Sequence, residues 1–427
     1  MTQGFQRFTK GYANVLGILI GLAVVSSILL YSGCGMTSRP NTPASPTPTP
    51  TPTPDTTPPT STITSPTAGA SVSTGTTVSI TGTASDAGGG RVARVEVSVN
   101  GGATYSAASG TTNWFFSWTP NTPGLVTLKS RAVDDSGNQQ DPPAEVTAMV
   151  PIRVPSDVPT IQSAINVASA GDIVLVAPGT YFENIDFIGK AITVTSESGP
   201  QDTIIDGGNA GSVVRITSGV GRNSVLNGFT LQNGRSTGIR IAGSPTITNN
   251  VIKNNLGCDG GGIGISDGSP LIQLNTITNN DIVCVRGSGA GISMRGSSAE
   301  ILDNVISDNG TGSFLGIRGG GIFILGLGAT NLAIIKRNII RGNSIGDGQG
   351  GGINMEIGTK ALIVQNLIIG NKAGAGGGIW STADNGVSPI VNNTIADNDA
   401  IDNGSGIYLH VGARMELTNN IIVAKPG

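Results

Sequence analysis

One histidine, three cysteines and a 12% share of charged side chains are spread over 427 residues, and each shortage removes a class of function. The single histidine, His410, leaves no partner for a histidine-rich metal centre, and the cysteines have no local histidine cluster of the kind zinc takes. A net charge of -3 with few basic clusters argues against nucleic acid as a partner. Blocks of Ala, Leu, Glu and Lys that paired-helix repeats require are missing. The glycine runs are not followed by Gly-Lys-Ser/Thr or by a helical pattern, which excludes a phosphate-cradling loop.

What is present is glycine (65 residues, more than double the usual share) and a returning pattern between positions 213 and 423. A Gly-Ile pair opens each unit: Gly238-Ile239, Gly262-Ile263, Gly291-Ile292, Gly321-Ile322, Gly352-Ile353, Gly378-Ile379 and Gly406-Ile407. Further along each unit comes an Asn followed by two mostly branched residues, at Asn250, Asn275, Asn304, Asn338, Asn366, Asn393 and Asn420. Five residues after the first six of these stands a second Asn: Asn255, Asn280, Asn309, Asn343, Asn371 and Asn398. A period in the twenties to low thirties marks a stacked repeat.

The apolar runs are short, alternate at period two and are rich in Ile, Val and Thr, and turn residues interrupt them too often for a ten-residue helix. The pattern predicts coils of short strands stacked ~4.8 Å apart as parallel sheets, with inward Ile and Val forming one long core. An Asn at the same corner of successive coils passes amide hydrogen bonds along the stack, and Asn also suits the left-handed backbone of a sharp corner. The glycine runs before each Ile read as left-handed or tightly packed corners.

With Gly-Gly-Gly-Ile and Asn-Xaa-Ile-Ile in view, the segment 154–427 resembles the right-handed parallel β-helix proteins of the pectin-lyase-like superfamily. Thr160-Ile161-Gln162, Pro178-Gly179-Thr180-Tyr181 and Glu183-Asn184 look like the opening segment of pectin-esterase-like β-helices. The resemblance implies a fold and leaves function open, since the superfamily holds lyases, hydrolases, esterases, adhesins and tailspikes. Residues 160–168, amphipathic at helical spacing, are expected to cap the first coil.

Four parts precede or compose this segment. Residues 1–34 hold Arg7 and Lys10, an apolar run over 15–31 and Ser32-Gly33-Cys34, the order of an export signal. Two readings stand: a bacterial lipobox lipidated at Cys34, from which Tyr31 departs, or an uncleaved membrane anchor. Both place the protein outside the cytoplasm, tethered to a bacterial membrane or cell surface. Residues 35–60 form a Pro-Thr spacer of extended character.

Residues 61–150 read as a small sandwich with strands at 61–66, 77–84, 92–99, 114–118 and 125–133, and resemble bacterial immunoglobulin-like modules. Trp114 and Trp118 suit either the sandwich core or a sugar-stacking platform, with the core favoured. Asp134, Asp135 and Asn138 offer the oxygen ligands calcium takes, and a turn explains them equally. Cys258 and Cys284 fall at neighbouring loops of successive coils, within disulfide reach; two separate buried thiols are the alternative. The last unit ends without a capping pattern, so the sequence reads as either truncated or covered by a partner at that end.

Catalytic signatures known from the superfamily do not occur. Within 154–427, polygalacturonase Asp-Asp and Gly-His-Gly, the pectin-esterase Gly-Xaa-Asp-Phe-Ile-Phe-Gly and the pectate-lyase Arg-Xaa-Pro-Xaa-Xaa-Arg are all missing. Asp281, Arg286, Arg295, Asp308 and Arg318 are the candidate residues for a groove along the third to fifth coils, beside the longest loop insertions. The sequence therefore predicts an all-β protein, a parallel β-helix of three strands per coil behind an Ig-like sandwich. It is expected to bind polysaccharide or cell-envelope glycan without a cofactor. A lyase or hydrolase and a structural spacer are the alternatives.

Overall fold

The computed structural model describes residues 54–217, 219–310, 316–326, 331–382 and 386–423. Residues 1–34, expected from the sequence to be an export signal with Cys34 as its lipidation site, and most of the expected 35–60 spacer lie outside them. From Pro54 onward the described residues form one compact unit.

The unit begins with a β-sandwich. Thr60–Ser65, Val78–Ser85, Asn113–Trp118 and Ser109–Gly110 make one sheet; Ala70–Ser71, Ala144–Val150, Gly124–Asp134, Val92–Ser98 and Ser106–Ala107 make the other. The alternation of the sequence sends Ile80, Val95, Val97, Leu128 and Ala148 inward. Trp114 and Trp118 are buried with them, so neither forms an exposed sugar platform. Strand Ala144–Val150, the last of the sandwich and one the sequence reading gave no bounds, passes Pro151 and becomes Ile152–Val154, the first strand of the β-helix. Arg153 ties the two parts together: it donates to the Ser73 hydroxyl at 2.8 Å and pairs with Glu197 at 3.2 Å.

Helix Ile161–Val167 covers the first coil with Ile161, Ala164 and Ile165. Its start is closed by a reciprocal Thr160–Ser163 capping box and by Glu183, whose carboxylate accepts from the Ile161 and Gln162 amides at 3.0 and 2.9 Å. Its end is closed by Lys190, whose ammonium donates to the carbonyls of Ile165, Asn166 and Ala168.

Three parallel sheets of eleven, ten and nine strands follow, one strand per coil in each. Register stacks like on like. Ile252, Ile277, Ile306, Ile340, Ile368 and Ile395 align in the second sheet, and the Ile of each Gly-Ile pair aligns in the third.

Two asparagine ladders run along the corners, one between the first and second sheets and one after the second. In the first, the Asn250 amide nitrogen donates to Asn275 Oδ1 at 3.1 Å, and the same bond recurs down to Asn393 and Asn420 at 3.0 Å. Each Oδ1 also accepts the backbone amide of the preceding ladder Asn, and each Nδ2 also donates to a main-chain carbonyl. The second ladder, Asn255 to Asn398, is built alike. The five-residue offset is thus explained: a three-residue strand and one corner residue separate the two Asn of a coil.

The left-handed residue is not the ladder Asn but the one before it. Positive φ falls at Asn249, Leu274, Asp303, Arg337, Gln365, Asn392 and Asn419 beside the first ladder. The ladder Asn must keep its side chain inward to bond, so its neighbour makes the bend. Two of these neighbours, Asp303 and Arg337, form an exposed two-pronged pair at 2.7 and 2.6 Å. Glycine runs serve a different corner. In Gly350-Gly351-Gly352, Gly350 (φ 75°) folds over the outward side chain of Asn354, whose Cβ would lie 2.7 Å from a Cβ added there. Gly352 packs against Asn371 of the second ladder, which a Cβ would approach to 3.2 Å.

Two stability outcomes follow. Asn309→Ala strands the buried Asn280 backbone amide and removes one of the Asn280 side-chain bonds, and a loss of about 3 kcal/mol is expected in denaturant unfolding. Leu274→Asn relieves a branched residue held at φ 57°, with an expected gain of up to about 1 kcal/mol in the same assay.

Candidate functional site

Strands of the third sheet alternate inward Ile with outward side chains, and register places the outward ones in a column. Asp186, Arg215, Arg240, Gly264, Ser293 and Phe323 follow one another from coil to coil. Asn354, Trp380 and Tyr408 continue the column. The two halves differ. In the later coils the glycine loops fold down and bury Ser293, Phe323, Asn354 and Trp380. In the earlier coils the face is open. There a hollow of about 640 Å³ lies between Asn184, Gly211, Ser212, Arg215, Ser236 and Arg240. A smaller recess of about 80 Å³ continues it past Arg240 to Asp259, Gly264, Ser266, Ser293 and Arg295.

Charge in this cleft is mostly positive. Arg215 lies 3.5 Å from Asp186, while Arg240 makes no ion pair among the described residues although Asp259 lines the same recess. Arg295 closes the recess: its Nη2 donates to Asp259 at 2.6 Å and to the Ser288 hydroxyl at 3.0 Å, and its guanidinium lies 5.2 Å from the centre of the Phe323 ring. The loop residues Asp259, Ser288, Arg318 and Gln349 bridge one another as a narrow parallel stack along the cleft's flank. A small apolar cluster of Ile282, Ala290, Ile317, Ile345 and Ala373 packs together beside it.

Beyond the recess stands a group the sequence reading passed over. Glu356 follows strand Ile353–Met355 and is 8% exposed. Its Oε1 lies 3.3 Å from Arg318 Nη1 yet accepts no hydrogen bond, and its Oε2 accepts from the Thr382 hydroxyl at 3.4 Å. Burial pushes the carboxyl above its ordinary range; Arg318, Thr382, Arg295 and His410 pull it back without overcoming that burial. On the same strand face, the Asn354 Oδ1 is buried without a donor. Trp380 stacks one coil on from Asn354, its ring 6.2 Å from that of His410. The readable signal was the alternation Ile353-Asn354-Met355-Glu356, which sets Glu356 outward at the level where Arg295 stands two coils earlier.

Of the sequence candidates, Arg295 and Arg318 come together around Glu356. Arg286 lies across a separate hollow of about 330 Å³ with Arg318, Asp347 and Gln349. Asp281 sits in the two-residue strand Asp281–Ile282, and Asp308 occupies the left-handed corner before Asn309, so neither lines the open cleft. Cys258 and Cys284 are joined in a disulfide, their Cα atoms 5.1 Å apart, at the margin of the loop stack.

Oxygen ligands for a metal converge in the sandwich. Asp55, Asp86 and Asp134 bring carboxylate oxygens within 4.8 Å of one another. Oδ2 atoms of Asp55 and Asp86 are buried without hydrogen-bond partners. Burial acts to raise the Asp134 carboxyl, but donors from Asn138, Ser136 and Gly137 outweigh it and hold the group below the usual range. The turn and the oxygen cluster are therefore one structure, with Asp55 and Asp86 as members that chain separation hid.

Comparison with known proteins matches the two parts separately. Residues 59–136 match the family model of a bacterial Ig domain, and residues 220–382 and 285–427 match that of a right-handed β-helix region. The chain is an Ig-type module followed by a right-handed parallel β-helix. Among solved structures, fibronectin(III)-like modules of Clostridium thermocellum CbhA share 25% identity over 21% of this chain and 93% of theirs, with a TM-score of 0.18. A family 28 exopolygalacturonase of Yersinia enterocolitica shares 11% identity over 80% of this chain and 96% of its own, with a TM-score of 0.21. No curated protein matches in sequence.

The raised Glu356 carboxyl has a pH consequence. A group whose folded pKa exceeds its unfolded value contributes stability below the unfolded value, near 4.5, and loses it as pH rises through the folded value. Glu356→Gln removes that loss, so its melting temperature relative to wild type should climb between about pH 4 and about pH 7. A difference that is flat or falls with pH contradicts the assignment.

Proposed function

We propose that the β-helix binds a linear glycan or cell-envelope polymer along the outer face of its third sheet, without cleaving it, while the N-terminal segment tethers the protein outside the cell. The observation that supports this reading is the open cleft from Asn184 and Arg215 past Arg240 to Arg295. It crosses successive coils and so offers one long polar surface instead of a closed pocket. The tether rests on Arg7, Lys10, the apolar run and Cys34, followed by the Pro-Thr spacer.

A second reading, polymer cleavage, draws on Glu356, a buried carboxyl with a raised pKa beside Arg318. Residues 54–427 mixed with a panel of acidic and neutral polysaccharides decide between them. Binding is expected without new reducing ends or unsaturated products. Either product overturns the non-catalytic reading, and loss of that product in Glu356→Gln assigns the cleavage to this carboxyl.

A further inference from the structure

We infer that Asp55, Asp86 and Asp134 of the Ig-type module hold a calcium ion, which pins the first residues of the compact unit against the turn at 134–138.

Three separate segments supply the carboxylates. Asp55 precedes the first strand, Asp86 directly follows Val78–Ser85, and Asp134 ends Gly124–Asp134. Their oxygens lie within 4.8 Å of one another, close enough for strong mutual repulsion. No side-chain cation offsets it among the described residues: Arg94, Arg131 and Lys129 of the sandwich pair with Glu96 and Glu145 instead. Folding has therefore gathered three negative charges at one point and left the opposite charge to come from outside the chain.

The hydrogen bonds around the cluster point to a ligand independently of its charge. Oδ1 of Asp55 accepts the Thr57 amide at 2.9 Å and Oδ1 of Asp86 accepts the Gly88 amide at 3.0 Å. Each bond orients its carboxylate, and the second oxygen, Oδ2, is in both cases closed to solvent with no donor. Such an orphan is costly unless something fills it. Asp134 is 2% exposed; its Oδ2 takes only the Asn138 side-chain amide, at 2.8 Å, and keeps acceptor capacity. That same amide donates to the Asp55 carbonyl at 2.9 Å, which ties strap to turn. Gly90 shows that the two orphans face one place, because a Cβ there would collide with Oδ2 of both Asp55 and Asp86. A site made only of oxygens from scattered segments, with no histidine or cysteine in it, suits calcium, whereas magnesium demands a stricter octahedron and keeps its water.

Residues 35–427, which contain the whole compact unit, stripped with EDTA and titrated with calcium or magnesium chloride by calorimetry, test this. One calcium per chain is expected with a Kd of about 1 mM or tighter, and magnesium at least tenfold weaker. Calcium should also slow amide exchange at 55–59, 86–91 and 134–138 and leave the strand Thr237–Ala242 unchanged. Asp86→Asn is the decisive variant, since its Oδ1 still takes the Gly88 amide. In EDTA it should melt no lower than wild type, because a repulsion is gone. In about 10 mM calcium it should melt lower, with calcium affinity reduced tenfold or more, while Glu145→Gln outside the cluster binds as wild type. No binding at that calcium concentration, or wild-type affinity in Asp86→Asn, overturns the site. Equal destabilisation of Asp86→Asn with and without calcium overturns it in favour of a purely structural turn. Magnesium bound as tightly as calcium overturns the choice of ion.

Discussion

Everything in the β-helix depends on side-chain amides stacked in register. A ladder Asn donates and accepts along the axis and fills its remaining donor with a main-chain carbonyl, so a polar side chain is fully satisfied in an otherwise apolar interior. Because each Oδ1 takes both a backbone and a side-chain donor of the coil before it, a one-residue slip in any strand would break both. The ladders therefore fix register, and register fixes which outward side chains meet. The cation column of the third sheet, the glycine flaps over its later half and the Asp303–Arg337 pair on the corner all follow from that alignment.

Much of this was legible in the sequence, because a repeat prints its structure many times. The Gly-Ile pairs marked the third sheet, and the five-residue offset marked two corners. What the sequence obscured was the division of labour at a corner. Asn was expected both to bond and to bend, yet Leu274, Arg337 and Gln365 do the bending, which requires only that the next residue be held by the ladder. In the sandwich, the alternation located five strands but set no bounds for the last one, Ala144–Val150.

The site was less legible for a physical reason. Outward residues of a β-helix are free to vary, so they repeat no pattern, and their neighbours come from coils some 25 to 34 residues away. Arg295 and Arg318 were singled out from loop length, but Arg215 and Arg240 lie in ordinary strands and gain meaning only from pairing register. Glu356 was one carboxylate among many until burial distinguished it. Asp55 and Asp86 join Asp134 only through the sandwich fold.

The architecture separates two tasks. The interior ladders and Ile stacks supply rigidity, the helix Ile161–Val167 closes one end, and the outer face is left to present polar and charged side chains at the pitch of the coils. The most direct measurement of that claim is hydrogen–deuterium exchange of residues 54–427 with and without saturating polygalacturonate. Protection is expected in the third-sheet strands Ser212–Thr217, Thr237–Ala242 and Ile263–Ser266 and their flanking loops. Protection confined to the second sheet or to the Ig-type module would contradict the account.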